Sequence, residues 1–128
     1  METEQTEHGT LESWTPAEVA EKLWAGKIVL IDVRTPQEYS FERIDGALLA
    51  PLQSFQPQHM PGQYDKRIVF HCGSGARSRK AAMACLEAGA DRIAHMSCGF
   101  GGWKEAGLPY TGTDLASGAP KQMKKKAA

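Results

Sequence analysis

The chain has 128 residues, 15 basic and 15 acidic side chains, and an apolar fraction of 41%. That length suits one domain with a real core, and the balanced charge leaves no electrostatic footprint for nucleic acid. No apolar run approaches the roughly 18 residues of a membrane helix, and the acidic start METEQTEHGTLES has neither the basic nor the apolar part of a signal peptide, so no membrane partner and a cytoplasmic location are expected.

In chain order, residues 1–10 read as a flexible N-terminus. The stretch Trp14-Thr15-Pro16-Ala17-Glu18 opens a helix: Thr15 can cap it, Pro16 fits the first turn and Glu18 completes a capping box. Val19 and Leu23 follow at helical spacing, and Gly26 stops the helix. KIVLIDVR then gives a strand whose apolar residues, Ile28 to Ile31, run without alternation, as in a strand buried on both faces. Thr35-Pro36-Gln37-Glu38 repeats the helix-start device directly after Arg34. IDGALLAP reads as a turn at Asp45-Gly46, a short strand and a stop at Pro51, and Gln53 to Tyr64 read as a loop.

RIVFHC is a second buried strand. Ser78 to Ala88 places Ala81, Ala82, Cys85 and Leu86 on one helical face, with Gly89 as the stop. RIAHM is a short strand, and Phe100 to Ala106 a last short helix. The folded domain is therefore expected over residues 11–110. Residues 111–128 read as a disordered basic tail ending in Lys124-Lys125-Lys126.

Strands alternating with helices imply an α/β fold, a mainly parallel central sheet flanked by helices on both faces. Ligands of such sheets collect at the carboxyl ends of the strands. Two strands end in chemistry here, one at Asp32-Val33-Arg34 and one at His71-Cys72. The odd count of three cysteines argues against a disulfide framework, and the histidines show no metal-ligand spacing, so no metal or cofactor is expected.

The stretch FHCGSGARS explains why Cys72 stands where it does. Gly73, Ser74, Gly75 and Ala76 are small enough to curl tightly, so that successive backbone N–H groups turn inward and form an anion-binding nest. The following helix adds its unpaired N–H groups and the positive end of its dipole. A thiol at that rim ionises readily, and the thiolate is the nucleophile. Arg77 adds charge and a rigid fork of donors, and Ser78 completes the loop.

Cys85, among alanines mid-helix, reads as a core residue, and Cys98 reads as structural or incidental. His71 faces the side of the strand opposite to Cys72, so a catalytic-base role is not expected. Asp32 and Arg34 are supporting residues, with Asp32 or Glu38 meeting Arg77 or Arg34 in structural ion pairs. Trp103 and Phe100 read as packing, with lining of the mouth as the alternative for Phe100.

The motifs LIDVRTPQEY, IDGALLAP, CGSGARS and GFGGWKEAGLP, in that order over Trp14 to Tyr110, resemble the single-domain rhodanese, or thiosulfate sulfurtransferase-like, family. The resemblance implies the rhodanese fold and a Cys72 persulfide that carries sulfane sulfur. It also implies a small anionic donor such as thiosulfate and a cyanide or thiol acceptor, which a protein could supply. HC-x-x-G-x-x-R-S, with five residues between Cys and Arg, marks cysteine-dependent phosphatases, and here there are four. A phosphatase or arsenate reductase on the same fold is the runner-up, and a persulfide carrier or binding module without turnover is the other alternative. Three positions depart from the family pattern. Glu42-Arg43 replaces Gly-His, Gly73 stands where many members carry a basic or bulkier side chain, and Cys98 replaces a glycine.

Overall fold

The computed structural model describes residues 1–123. In chain order the elements are β1 (Glu2–Thr6), β2 (Gly9–Trp14), α1 (Pro16–Trp24), β3 (Ile28–Asp32), α2 (Pro36–Phe41), β4 (Leu48–Leu49), β5 (Arg67–His71), α3 (Ala76–Glu87), β6 (Arg92–Met96), α4 (Gly99–Glu105), β7 (Tyr110–Thr113) and β8 (Pro120–Met123). Six strands form one sheet in the order β1-β2-β6-β5-β3-β4, with only β1 antiparallel to its neighbour. This is the expected parallel α/β architecture.

Both helix starts follow the capping-box rule. Thr15 Oγ1 accepts from Glu18 N at 3.2 Å while Thr15 N donates to the Glu18 carboxylate at 2.9 Å; Thr35 and Glu38 repeat the pair at 3.2 and 3.0 Å. The sheet is covered on two faces. Val19, Leu30, Val69, Met96 and Trp103 form one core under α1 and α4, and Leu11, Ile68, Phe70, Ala82 and Leu86 form the other under α3. β5 feeds both, because successive side chains alternate across a strand. Hence Cys72 lies in the α3 core, while the His71 ring stands on the other side, 6.4 Å from the Phe100 ring.

Both chain ends differ from expectation. The flexible N-terminus expected over residues 1–10 is corrected by a hairpin, with β1 pairing β2 from Glu2↔Ser13 to Thr6↔Gly9. Its turn is held by Thr6 Oγ1, which donates to Gly9 O at 2.7 Å and accepts from Gly9 N at 3.1 Å. The polar side chains of β1 hide it from a hydrophobic pattern, because backbone pairing and the Arg79–Glu4 pair at 2.9 Å hold it. The disordered tail expected from 111 is likewise corrected: β7 and β8 form an antiparallel pair, and Thr111 exchanges backbone bonds with Arg43 at 2.8 and 2.9 Å. Lys124–Lys126 lie outside the described residues. The expected loop over 53–64 carries short 3-10 turns at Leu52–Ser54 and Pro57–His59, and Phe55 packs edge-on against Phe70.

Candidate active site

Cys72 follows β5 directly, and α3 begins at Ala76, two residues earlier than its sequence pattern suggests. Its Sγ is buried and accepts the N–H groups of Gly75 at 3.1 Å and Ser78 at 3.3 Å. Gly75 is the N-cap of α3 at φ 110°, without a side-chain cap. The sulfur takes that place, receiving an N–H from the first turn that the helix itself leaves unpaired.

Burial pushes the Cys72 thiol up, but the N–H groups of Ser78, Gly75 and Ser74 and the Ser78 hydroxyl outweigh it, so its pKa falls below the ordinary value. The other thiols move the opposite way. Burial raises Cys85 to about 11, and burial also raises Cys98. Cys98 stands at the N-cap of α4 with its sulfur against Gly102. Of the three, only Cys72 is shifted toward its thiolate.

The loop is braced from behind. Phe100 N donates to Cys72 O at 2.7 Å, and Gly101 N donates to Gly73 O at 3.1 Å. A peptide unit is planar, with its C=O and the next N–H pointing opposite ways. Anchoring the Gly73 carbonyl to α4 therefore turns the Ser74 N–H toward the sulfur. The approach is close. A Cβ at Gly99 would overlap Gly73 O and lie 2.6 Å from Gly73 C, and one at Gly75 would overlap Ser97 O. Sequence reasoning missed Ser97, Gly99 and Gly101 as parts of this site and saw in Phe100 only a packing or mouth-lining side chain. The signal available was GFGG, glycines flanking the residue whose amide does the bracing.

The structure settles which charges pair. Asp32 is fully buried and takes Arg34 Nη2 at 2.8 Å and Nε at 3.0 Å. Arg34 Nη2 also donates to Glu42 O at 2.6 Å, and its guanidinium lies 4.7 Å from the Phe100 ring centroid. Arg77 instead grips Glu38 bidentately at 2.7 and 3.0 Å, and this holds the Glu38 carboxyl down at about 2. A groove of ≈ 360 Å³ opens beside Arg77, lined also by Val33, Pro36, Pro51 and Leu52. Among the described residues no group of three or more His, Cys, Asp or Glu is placed to hold a metal ion.

The Arg77–Glu38 clamp ties the first turn of α3 to the first turn of α2, so bracing outweighs free charge. Arg77→Ala, Arg77→Lys and Glu38→Gln are all expected to raise the Cys72 pKa, by roughly one unit each. Ultraviolet titration of the thiolate checks this, and a lysine variant that titrates like the parent would overturn it.

Known proteins resemble this chain in sequence and in fold. The sequence model of the rhodanese-like domain matches residues 15–106. The thiosulfate sulfurtransferase GlpE of Actinobacillus succinogenes is 32% identical over 95 residues, covering 74% of this chain and 86% of that one. The uncharacterized protein slr1261 of Synechocystis is 37% identical over 89 residues, 70% of this chain but only 50% of that protein, so the match spans half of its length. The human single-domain sulfurtransferase TSTD1 superposes with a TM-score of 0.62 at 23% identity, covering 73% of this chain and 95% of that one, a likeness of fold.

Proposed function

The chain belongs to the rhodanese-like family and is a sulfurtransferase of the rhodanese type, and from that premise we propose that Cys72 carries sulfane sulfur as a persulfide. The donor is a small anionic sulfur compound such as thiosulfate, and the acceptor is cyanide or a thiol, on a small molecule or a protein. The observation that carries this reading is the short loop, whose N–H groups from Gly75 and Ser78 meet at one sulfur atom.

In the first half-reaction the Cys72 thiolate attacks the outer sulfur of thiosulfate. The Sγ–S bond forms, the donor's S–S bond breaks, and sulfite leaves with the bonding pair. In the second, the acceptor attacks the terminal sulfur, the Sγ–S bond breaks, and Cys72 departs as thiolate. The product is thiocyanate or an acceptor persulfide. The loop amides stabilise anionic sulfur in both steps, being fixed before the charge arrives.

Phosphate chemistry fits less well. The carboxylates of Asp32 and Glu38 are tied to arginines, so neither is free to protonate a leaving oxygen. The reaction belongs in the cytoplasm, where thiol acceptors stay reduced.

Mass spectrometry tests the proposal. Thiosulfate should add one sulfur to the intact protein, mapped to Cys72, and cyanide should remove it as thiocyanate. Cys72→Ala should take up none. Sulfur loading in Cys72→Ala, with Cys85 and Cys98 intact, overturns the assignment. Hydrolysis of a phosphate ester without sulfur loading turns the reading to the runner-up.

A further inference from the structure

A buried polar pair stands behind the cradle. His95, on β6, lies beside Ser13 of β2 on one side and Phe70 of β5 on the other, and is 4% exposed. Its Nδ1 is 2.8 Å from Ser78 Oγ, and Ser78 is fully buried. Ser78 is the residue whose own N–H donates to the Cys72 sulfur at 3.3 Å. We propose that His95 is a positioning residue for sulfur transfer: its Nδ1–H fixes the Ser78 hydroxyl so that the hydroxyl proton is free for the loop and the Cys72 sulfur. The inference rests on Cys72 as the sulfur carrier.

The Ser78 hydroxyl has one proton and lies 3.1 Å from Gly75 O, to which it donates. If Nδ1 were bare, the hydroxyl would have to give that proton to His95. It would lose the Gly75 bond and turn oxygen lone pairs toward an anionic sulfur. With the proton on Nδ1, the contacts that join His95, Ser78 and Gly75 are all satisfied. His95 donates to Oγ, and the hydroxyl proton serves Gly75 O or, when Cys72 is charged, swings to the sulfur.

The surroundings disfavour a charged ring. Burial, then the charge of Arg79, pull its pKa down to about 4, with Glu4 opposing, so the ring is neutral at ordinary pH. The Arg79–Glu4 pair that links β1 to α3 therefore also acts on His95 through its charges. β1 and β2 precede residue 15, where the match to the family begins.

The effect on the two half-reactions is unequal. In loading, Cys72 is the nucleophile, and a donor on Sγ raises the thiolate fraction while lowering its intrinsic reactivity. In discharge, the Sγ–S bond breaks and its electron pair stays on Sγ. The same donor then stabilises the leaving group without an opposing cost, and its proton remains on Ser78 Oγ. Loss of His95 should therefore show chiefly in discharge.

The experiment compares the full chain with His95→Leu, His95→Asn, Ser78→Ala and the His95→Leu/Ser78→Ala double variant. Each is titrated for the Cys72 thiolate, loaded with thiosulfate, and mixed with cyanide to time the discharge. His95→Leu and Ser78→Ala should each raise the Cys72 pKa and slow discharge about tenfold, the size of one hydrogen bond to a charged group. The double variant should be no slower than either single one, because both remove the same interaction. His95→Asn should recover part of the rate, since its amide N–H stands near the place of Nδ1–H.

Additive losses, or a folded His95→Leu with the parent's titration and discharge, overturn the proposal. So does Ser78→Ala with an unchanged titration, which decides the matter if His95→Leu does not fold. If thiosulfate leaves no sulfur on the parent chain, the sulfur-carrier reading fails instead, and the titrations, which need no sulfur, still decide the His95–Ser78 link.

Discussion

Gly99→Ala is expected to cut sulfur loading of Cys72 by about a hundredfold and to cost about 2–4 kcal/mol of stability. Two effects combine. Gly99 has φ +67°, where a side chain is strained, and an added Cβ would overlap Gly73 O and lie 2.7 Å from Ser74 N. The obstacle is backbone on both sides, so no side-chain rotation relieves it. Either the loop retreats or α4 does, and both movements break the bonds from Phe100 N to Cys72 O and from Gly101 N to Gly73 O. Gly101→Ala supplies the control, since its Cβ would meet Gly73 O at 3.6 Å, an ordinary contact. That variant should load normally and be no less stable, because alanine suits a helix better than glycine. Loading rates and urea midpoints of the two variants check the pair. Parent-like loading in Gly99→Ala would show that α4 does not shape the cradle.

Asp32→Ala should be the costliest polar substitution for stability, at about 3–5 kcal/mol. It leaves Arg34 buried against Phe100 without its carboxylate, and the remaining partner, Glu42 O, is neutral. Arg34→Ala strands the opposite charge and should cost a similar amount. Replacing both, as Asp32→Leu with Arg34→Met, should cost much less than either single change, because no charge is left unpaired in the interior. Urea unfolding of the four proteins reads this directly. A loss below about 1 kcal/mol in Asp32→Ala would mean that water reaches Arg34 and replaces the pair.

The central elements were legible because their signals are local. Thr15 and Thr35 stand three residues before a glutamate, and β3 and β5 are unbroken apolar runs. The position of Cys72 between a strand, a glycine turn and a helix pointed to the cradle for the same reason. The strands near the two chain ends, β1, β2, β7 and β8, were not legible. β2 contains Glu12, which reads as a surface residue yet is buried, because Trp14 Nε1, Arg67 and Arg92 all donate to it at 2.9–3.1 Å. β1, β7 and β8 are held largely by backbone pairing, which leaves no mark in side-chain polarity. The charge pairs were ambiguous for another reason: two carboxylates and two arginines near one strand end permit either matching, and only the direction in which α2 leaves β3 selects Asp32 with Arg34 and Glu38 with Arg77. The His95–Ser78 contact joins elements that periodicity treats separately.

The bracing of the loop by α4 also bears on how the protein is made. The groups that turn the loop amides onto the sulfur are the main-chain N–H groups of Phe100 and Gly101, which leave the ribosome well after Cys72. Until they arrive, the carbonyls of Cys72 and Gly73 lack these donors, and the Ser74 N–H is not held onto the sulfur. On the sulfur-carrier reading, the nascent chain therefore carries Cys72 in a less acidic form, less reactive toward oxidants and stray disulfides, and gains the full acidity of the site only when α4 docks.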